Sequence, residues 1–428
     1  MMILLVISSI LLAGLGFVMT RKWLNPITVF AGYWGVLGFI SSFGLFGFYV
    51  PSDRAYSVIW LGVLGFSCGA LTMVTLPKLR NCFADGFIPD AGRDNLRVGI
   101  IYVLYAVLIL YSGVRVMTAL RMLLSGYSFS VIRNLYFSEE NEITASSLTG
   151  ALDAYVFKTI TMALIPISIA DYFSEKRHKF LMLLALTAAA ISVIGSGGRA
   201  VILYFIISSV VTLMMNRGRY RLSVMQIALI LLFAIAAAAA VYFVTLSRKA
   251  NIVFAEEAYR YFAGAVTQFD MRLQEFDKNP AFNYGLVYTR GLTLPFIAVF
   301  KYLLHFNYPD WYVQASSVVH DLQTSIKVGN GVYMKAFSTL FYYFYADGGY
   351  IGVVLLSAVY GLFSMRSFRD TVKRTTTRNI AIYALIVQGI LMSMVRWQFY
   401  IPGYALAFLL IEFVYTAKEP VKWRFINA

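Results

Sequence analysis

Apolar residues in this chain gather into runs close to twenty residues long, separated by short polar stretches. That spacing predicts membrane-crossing helices rather than the elements of a soluble core. The runs fall near 2–20, 26–50, 57–77, 98–118, 159–173, 180–195, 199–215, 224–246, 338–364, 380–395 and 398–416. The predicted fold class is an all-α polytopic membrane protein of about eleven transmembrane helices. The fifth and sixth runs are short, as bundle-buried or oblique helices are. The first lacks a basic start and a small-residue cleavage site, and its charges, Arg21 and Lys22, come after it. It therefore reads as a first span with its N-terminus outside, not as a cleaved signal.

The pattern divides the chain into three parts. Residues 1–246 form an N-terminal bundle of eight runs with an outer loop at 125–158. Residues 247–337 are one large loop, and 338–428 carry the last three runs. The large loop is expected to be partly helical, because Phe262, Val266, Phe269, Leu273 and Phe276 recur on one helical face before Asn279-Pro280 ends it. Leu286–Leu304 is apolar but broken by Arg290-Gly291 and Pro295, which predicts a segment lying in or dipping into the outer interface. With Trp311, Tyr312, His320, Asp321 and Gly329-Asn330-Gly331 beyond it, the loop is expected to fold as a lid.

Charge supplies the orientation. Of the 36 Lys and Arg residues, 20 fall at 21–22, 78–97, 174–179, 216–223, 366–379 and 417–428. Nine of the remaining 16 sit in the long loop, which the positive-inside rule does not count. The 20 therefore face the cytoplasm, with the N-terminus outside and the C-terminus inside. The same asymmetry explains the net charge of +15 without nucleic acid as a partner. With 60% hydrophobic and 13% charged residues, an ordinary soluble globule is excluded. Cys68 lies in a span and Cys82 in a cytoplasmic loop, so no disulfide framework is expected. The cytoplasmic loops are too short for a nucleotide-binding domain, and no Walker or dinucleotide glycine motif occurs. The chemistry is expected within the membrane or outside it.

Arg199, in Ile194-Gly195-Ser196-Gly197-Gly198-Arg199-Ala200, sits in a tight outer hairpin where a cation is normally avoided. Arg396, in Met394-Val395-Arg396-Trp397-Gln398, stands in a second such hairpin. With Arg290 and Arg248 they make a set suited to a lipid-linked phosphate or pyrophosphate, since the guanidinium fork binds phosphate oxygens in pairs. The alternative for any one of them is snorkelling to lipid headgroups. His320-Asp321 is the candidate catalytic pair, because an imidazole can take a hydroxyl proton near neutral pH. Trp311, Tyr312 and Tyr345 are candidate glycan-stacking residues, set against the interfacial aromatic belt that accounts for most tyrosines. The three histidines, His178, His305 and His320, stand at no metal-ligand spacing, so no metal is expected.

Ser196-Gly197-Gly198-Arg199-Ala200 opening a span resembles the hairpin of O-antigen polymerases, the Wzy family. So do Asn330-Gly331 before Phe337-Ser338-Thr339-Leu340, and Tyr345-Ala346-Asp347-Gly348-Gly349-Tyr350-Ile351-Gly352 before Gly361. Gly348 stands where the family commonly has an aromatic. The likeness, with its many spans and large loop, covers most of the chain.

It implies a fold similar to C-type membrane glycosyltransferases in the bacterial inner membrane, without cofactor or metal. The implied activity is polymerisation of lipid-linked oligosaccharide repeat units. The growing glycan passes from undecaprenyl pyrophosphate to the next lipid-linked unit, on the periplasmic side. The resemblance further implies the lipid bilayer, a chain-length regulator and a flippase as partners. Two alternatives stay open: an O-antigen ligase transferring glycan to lipid A-core, and a flippase or transporter of the lipid-linked oligosaccharide. Asp347 is expected either in the site or as a capping residue at the start of the ninth span.

Overall fold

The structure, a computed structural model, describes residues 1–75, 94–128, 131, 148–174, 178–196, 200–216, 254–305 and 307–416. Within them the chain is almost wholly helical. In order come α1 (Met2–Thr20), α2 (Pro26–Ser41), α3 (Asp53–Thr75), α4 (Val98–Leu124), α5 (Lys158–Tyr172), α6 (Lys179–Ser196) and α7 (Ala200–Met215). The second half adds α8 (Phe254–Phe262), α9 (Gly264–Phe276), α10 (Leu286–Leu304), α11 (Asp310–His320), α12 (Thr339–Lys373), α13 (Thr377–Leu391) and α14 (Pro402–Val414). Six helices are long and apolar enough to cross a membrane: α1, α3, α4, Gly150–Tyr172, α12 and Thr377–Met394. Four shorter apolar helices accompany them: Pro26–Ser41, Lys179–Val193, Ala200–Met215 and Pro402–Val414. The run expected at 224–246 lies outside the described residues.

Two helices form the spine. α3 presents Gly62, Gly65 and Gly69 to α12, and α12 returns Gly361. A Cβ on Gly69 would overlap the Ala358 carbonyl oxygen, and one on Gly361 the Phe66 carbonyl oxygen. Small residues allow this backbone-to-backbone approach, the main packing device where lipid removes the hydrophobic drive. α1, α2, α9 and α13 pack around the spine, and Trp34, Phe66, Phe341 and Tyr360 fill its interior. A second apolar cluster joins α4, α5, α6 and α14.

Two expected boundaries shift for local reasons. The second run was expected to reach residue 50 but ends at Ser41, because Gly44 (φ 55°) and Phe46 (φ 56°) turn the chain left-handed. Of its apolar tail, Phe48, 5% exposed, packs with Tyr259, Val328 and Met334 under the large loop, while Phe43, Leu45, Phe46 and Val50 stay exposed. The last run was expected from 398 but becomes helical at Pro402, the first position where proline is tolerated.

Of the five residues expected on one face of the large loop, Phe262 ends α8 and is 44% exposed, while the other four share α9, where Val266, Phe269 and Leu273 are fully buried. That helix stops at Phe276, just before Asn279-Pro280. A short hairpin, β2 (Ile326–Lys327) with β3 (Tyr333–Met334), rests on the turn between α2 and α3. There the Asn330 amide donates to the Gly47 carbonyl at 2.8 Å, and the Tyr49 amide to Val328 at 2.9 Å. At the other end of the bundle, β1 (Asn95–Leu96) pairs antiparallel with β4 (Tyr415–Thr416), clasping the start of α4 to the end of α14.

Leu286–Leu304 is one continuous helix despite its two breakers. Pro295 lacks the amide that would bond to the carbonyl four residues back, which is that of Gly291, so both interruptions fall on a single turn.

Candidate functional site

α13 and α14 are joined by a compact turn. A 3₁₀ turn at Met392–Met394 leads to Arg396, a second lies at Gln398–Tyr400, and Pro402 opens α14. Trp397 fixes this turn to its neighbours. It is 3% exposed, its indole Nε1 donates to the Tyr288 carbonyl at 2.9 Å, and its ring stacks on Tyr288 with centroids 4.8 Å apart. Phe344 and Tyr360 of α12 meet the same indole edge-on at 5.0 and 4.8 Å. Burial pushes the Tyr288 phenol up, keeping that side of the turn neutral.

α10 comes against the turn backbone to backbone. A Cβ at Gly291 would overlap the Phe399 carbonyl oxygen, so only glycine allows the approach. The residue before it, Arg290, is thereby delivered to the turn. Its guanidinium lies 4.3 Å from the Tyr400 ring centroid and its Nε donates to Ser316 Oγ of α11 at 3.3 Å. Arg290 is only 2% exposed. A guanidinium so buried has lost most of its hydration, which the Tyr400 face offsets by roughly 2 kcal/mol.

Tyr343 of α12 completes this side: its ring lies 5.3 Å from Tyr400, and its hydroxyl feels the charges of both Arg290 and Arg396. Arg290, on the Tyr400 face, is thus linked through that ring to Tyr343, a tyrosine that also lies within the electrostatic reach of Arg396. Arg396 is half-buried and makes no ion pair among the described residues. Beside it, Gln398 is 1% exposed and both of its amide atoms lack a protein partner. An unpaired buried amide costs about 1–3 kcal/mol, so this turn holds unused hydrogen-bonding capacity.

Asp347 aims α10. Its carboxylate accepts from the Val287 amide at 3.0 Å and the Tyr288 amide at 2.7 Å, capping the N-terminus of α10 one turn ahead of Arg290. It can reach there because α12 breaks immediately afterwards: Gly349 holds φ 57° and ψ −144°, a conformation in which glycine carries no steric penalty. Asn283 and Tyr284 bond back to the Ala346 and Asp347 carbonyls at 3.0 and 2.9 Å. Asp347 is thus a cap, of α10 rather than of the helix that carries it.

Arg199 and Arg248 lie outside the described residues, although α6 ends at Ser196 and α7 begins at Ala200. His320 ends α11 and Asp321 opens the next turn; their side chains lie outside the described residues. Tyr312 is buried one turn before Ser316 on α11, while Trp311 is 51% exposed and meets Tyr312 edge-on at 5.7 Å. Tyr345 is not beside Tyr343. Two residues on, it lies about 200° around the helix. There it accepts from Arg54 Nη2 at 2.8 Å and donates to Asp277 Oδ1 at 3.2 Å, and Arg54 also ion-pairs with Asp277.

Sequence reading missed two cations. Arg54 ties α3 to the end of α9 through that Asp277 network. Lys158 opens α5 on the far side of the 392–403 turn, where a Cβ on Gly403 would lie 2.7 Å from its own Cβ. Its signal was present in the charge count, as one of few basic residues against the positive-inside bias. Among the described residues no cluster of His, Cys, Asp and Glu could hold a metal ion.

No protein family, curated protein or solved structure matches this chain. The geometry sets one buried guanidinium, Arg290, against the aromatic-walled turn that carries a second, Arg396.

Proposed function

We propose that the protein is a membrane glycosyltransferase that polymerises lipid-linked oligosaccharide repeat units on the periplasmic side of a bacterial inner membrane. The observation that carries this reading is the buried Arg290 on the Tyr400 face, with Tyr343 beside that ring under the charge of both Arg290 and Arg396. An anionic headgroup on a long lipid reaches such a place along the bundle wall, and the short cytoplasmic loops expected from the sequence give a nucleotide-linked donor no binding domain. Undecaprenyl pyrophosphate fits both requirements. The arginines hold its phosphates and stabilise the charge that develops as the glycan leaves. Arg199 and Arg248 belong to the same proposal from sequence alone. Exposed Trp311 supplies aromatic surface for the glycan, backed edge-on by the buried Tyr312, and His320 with Asp321 the base for the acceptor hydroxyl. The segment from α8 to β3 orders the two glycans and excludes competing water.

The test is complementation of a deletion strain with Arg290→Ala and Arg396→Ala at matched expression. Each is expected to lower repeat-unit polymerisation by about 10²–10³-fold, the usual effect of removing one transition-state donor. Wild-type polysaccharide length from both variants would remove the clamp from the mechanism.

A further inference from the structure

Lys158 meets the 392–403 turn at Gly403, and its placement is unusually determined. Upstream of it, Asp153–Phe157 form a single π turn, and the Lys158 amide donates to the Asp153 carbonyl five residues back. One extra residue in a turn rotates the downstream helix by about 100° relative to an unbroken α-helix. π turns pack less well than α turns and persist mostly where they aim a side chain. This one is braced from α4. Asp153, 5% exposed, pairs with Arg115 at 2.9 Å; Tyr111 stacks on Phe157 at 3.4 Å, and Arg115 lies 4.9 Å from the Tyr111 centroid.

Downstream, Gly403 lets the start of α14 press on the Lys158 Cβ, the Ala154 carbonyl and the Thr159 amide. The lysine is half-buried. Tyr204 of α7, 7% exposed, feels the charge of both Lys158 and Arg396, just as Tyr343 feels Arg396 and Arg290. Arg396 thus shares one tyrosine's surroundings with a cation on α5 and another's with a cation on α10, and the buried amide of Gln398 lies in the same turn.

We propose that Lys158 is the third cation of this site and binds the terminal phosphate of a lipid pyrophosphate, a role that rests on the transferase reading above. Charge counting gives it a distinct task. A pyrophosphate joining lipid to sugar carries two ionised oxygens, which Arg290 and Arg396 match. In transfer, the acceptor hydroxyl oxygen bonds to the anomeric carbon as the bond from that carbon to the phosphate oxygen breaks. The bonding pair stays on the phosphate oxygen and the hydroxyl proton passes to the base proposed above. The departing lipid pyrophosphate then carries a third negative charge. Lys158 meets the charge that appears only as the bond breaks, where binding accelerates the reaction most.

The experiment uses the full chain in lipid nanodiscs, with farnesyl pyrophosphate and farnesyl phosphate as probes in equilibrium titrations. Lys158→Met is expected to weaken farnesyl pyrophosphate about tenfold while leaving farnesyl phosphate within about twofold, and Lys158→Arg to restore tight binding, because one point charge is removed and then replaced. Arg290→Ala is expected to weaken both probes. Unchanged binding of both probes by Lys158→Met, with both lost in Arg290→Ala, would overturn the role of Lys158 and leave the arginine site standing. Unchanged binding in Arg290→Ala and Arg396→Ala would overturn the site itself, and Lys158 with it. Lys158→Arg guards against misfolding: if it elutes and melts like wild type yet binds pyrophosphate as weakly as Lys158→Met, the charge-based proposal fails.

Discussion

Arg290 combines burial with a cation's chemistry, and its neighbours explain how. Ser316 takes one donor, Tyr400 covers one face, and Gly291 brings the group to the turn. Arg290→Lys keeps the charge but loses the planar fork and the ring stacking. We expect it to retain less than about a tenth of wild-type turnover, since charge-assisted bidentate pairs discriminate by geometry as well as by charge. Turnover by purified protein on lipid-linked repeat units measures this, and full activity would show that a point charge suffices. Asp347 makes a different kind of prediction. As the cap of α10 it is worth about 0.5–2 kcal/mol, so Asp347→Ala should lower the apparent melting temperature and Asp347→Asn less so. Thermal unfolding in detergent reads it directly; equal losses from Asn and Ala would argue against capping.

At the scale of elements, α3 and α12 are held by glycine contacts that admit no side chain. Gly69→Ala places a Cβ on the Ala358 carbonyl, and Gly361→Ala one on that of Phe66. Each is expected to destabilise by about 1–3 kcal/mol, the usual cost of overpacking. Gly99→Ala, where a Cβ meets nothing within 4 Å, is the matched control. A melting series over the three variants checks this, and an undisturbed Gly69→Ala would contradict the backbone contact. Helices were legible in the sequence because an apolar run of sufficient length needs no tertiary information. The regular face of α9 was legible for the same reason. The end of α2 was not, since Phe46 takes a left-handed conformation that no periodicity signals. The π turn before Lys158 was equally silent: the fifth run began at 159, and one inserted residue leaves no mark on an apolar pattern.

Over the whole molecule, sequence named Arg290 and Arg396 but could not bring them together. The approach of α10 to the turn that carries Arg396 depends on Gly291 against Phe399 and on Trp397 against Tyr288, contacts between residues more than a hundred positions apart. Tyr345 shows the converse: it shares a helix with Tyr343, yet a two-residue offset turns it into the Arg54–Asp277 network instead. What the assembled bundle does is tested most directly by the lipopolysaccharide profile of a deletion strain carrying the Arg290→Ala, Arg396→Ala double variant at wild-type membrane levels. The account expects the long-chain ladder to collapse to lipid core bearing a single repeat unit. Bare core would point instead to a ligase, and an unaltered ladder would contradict the arginine site altogether.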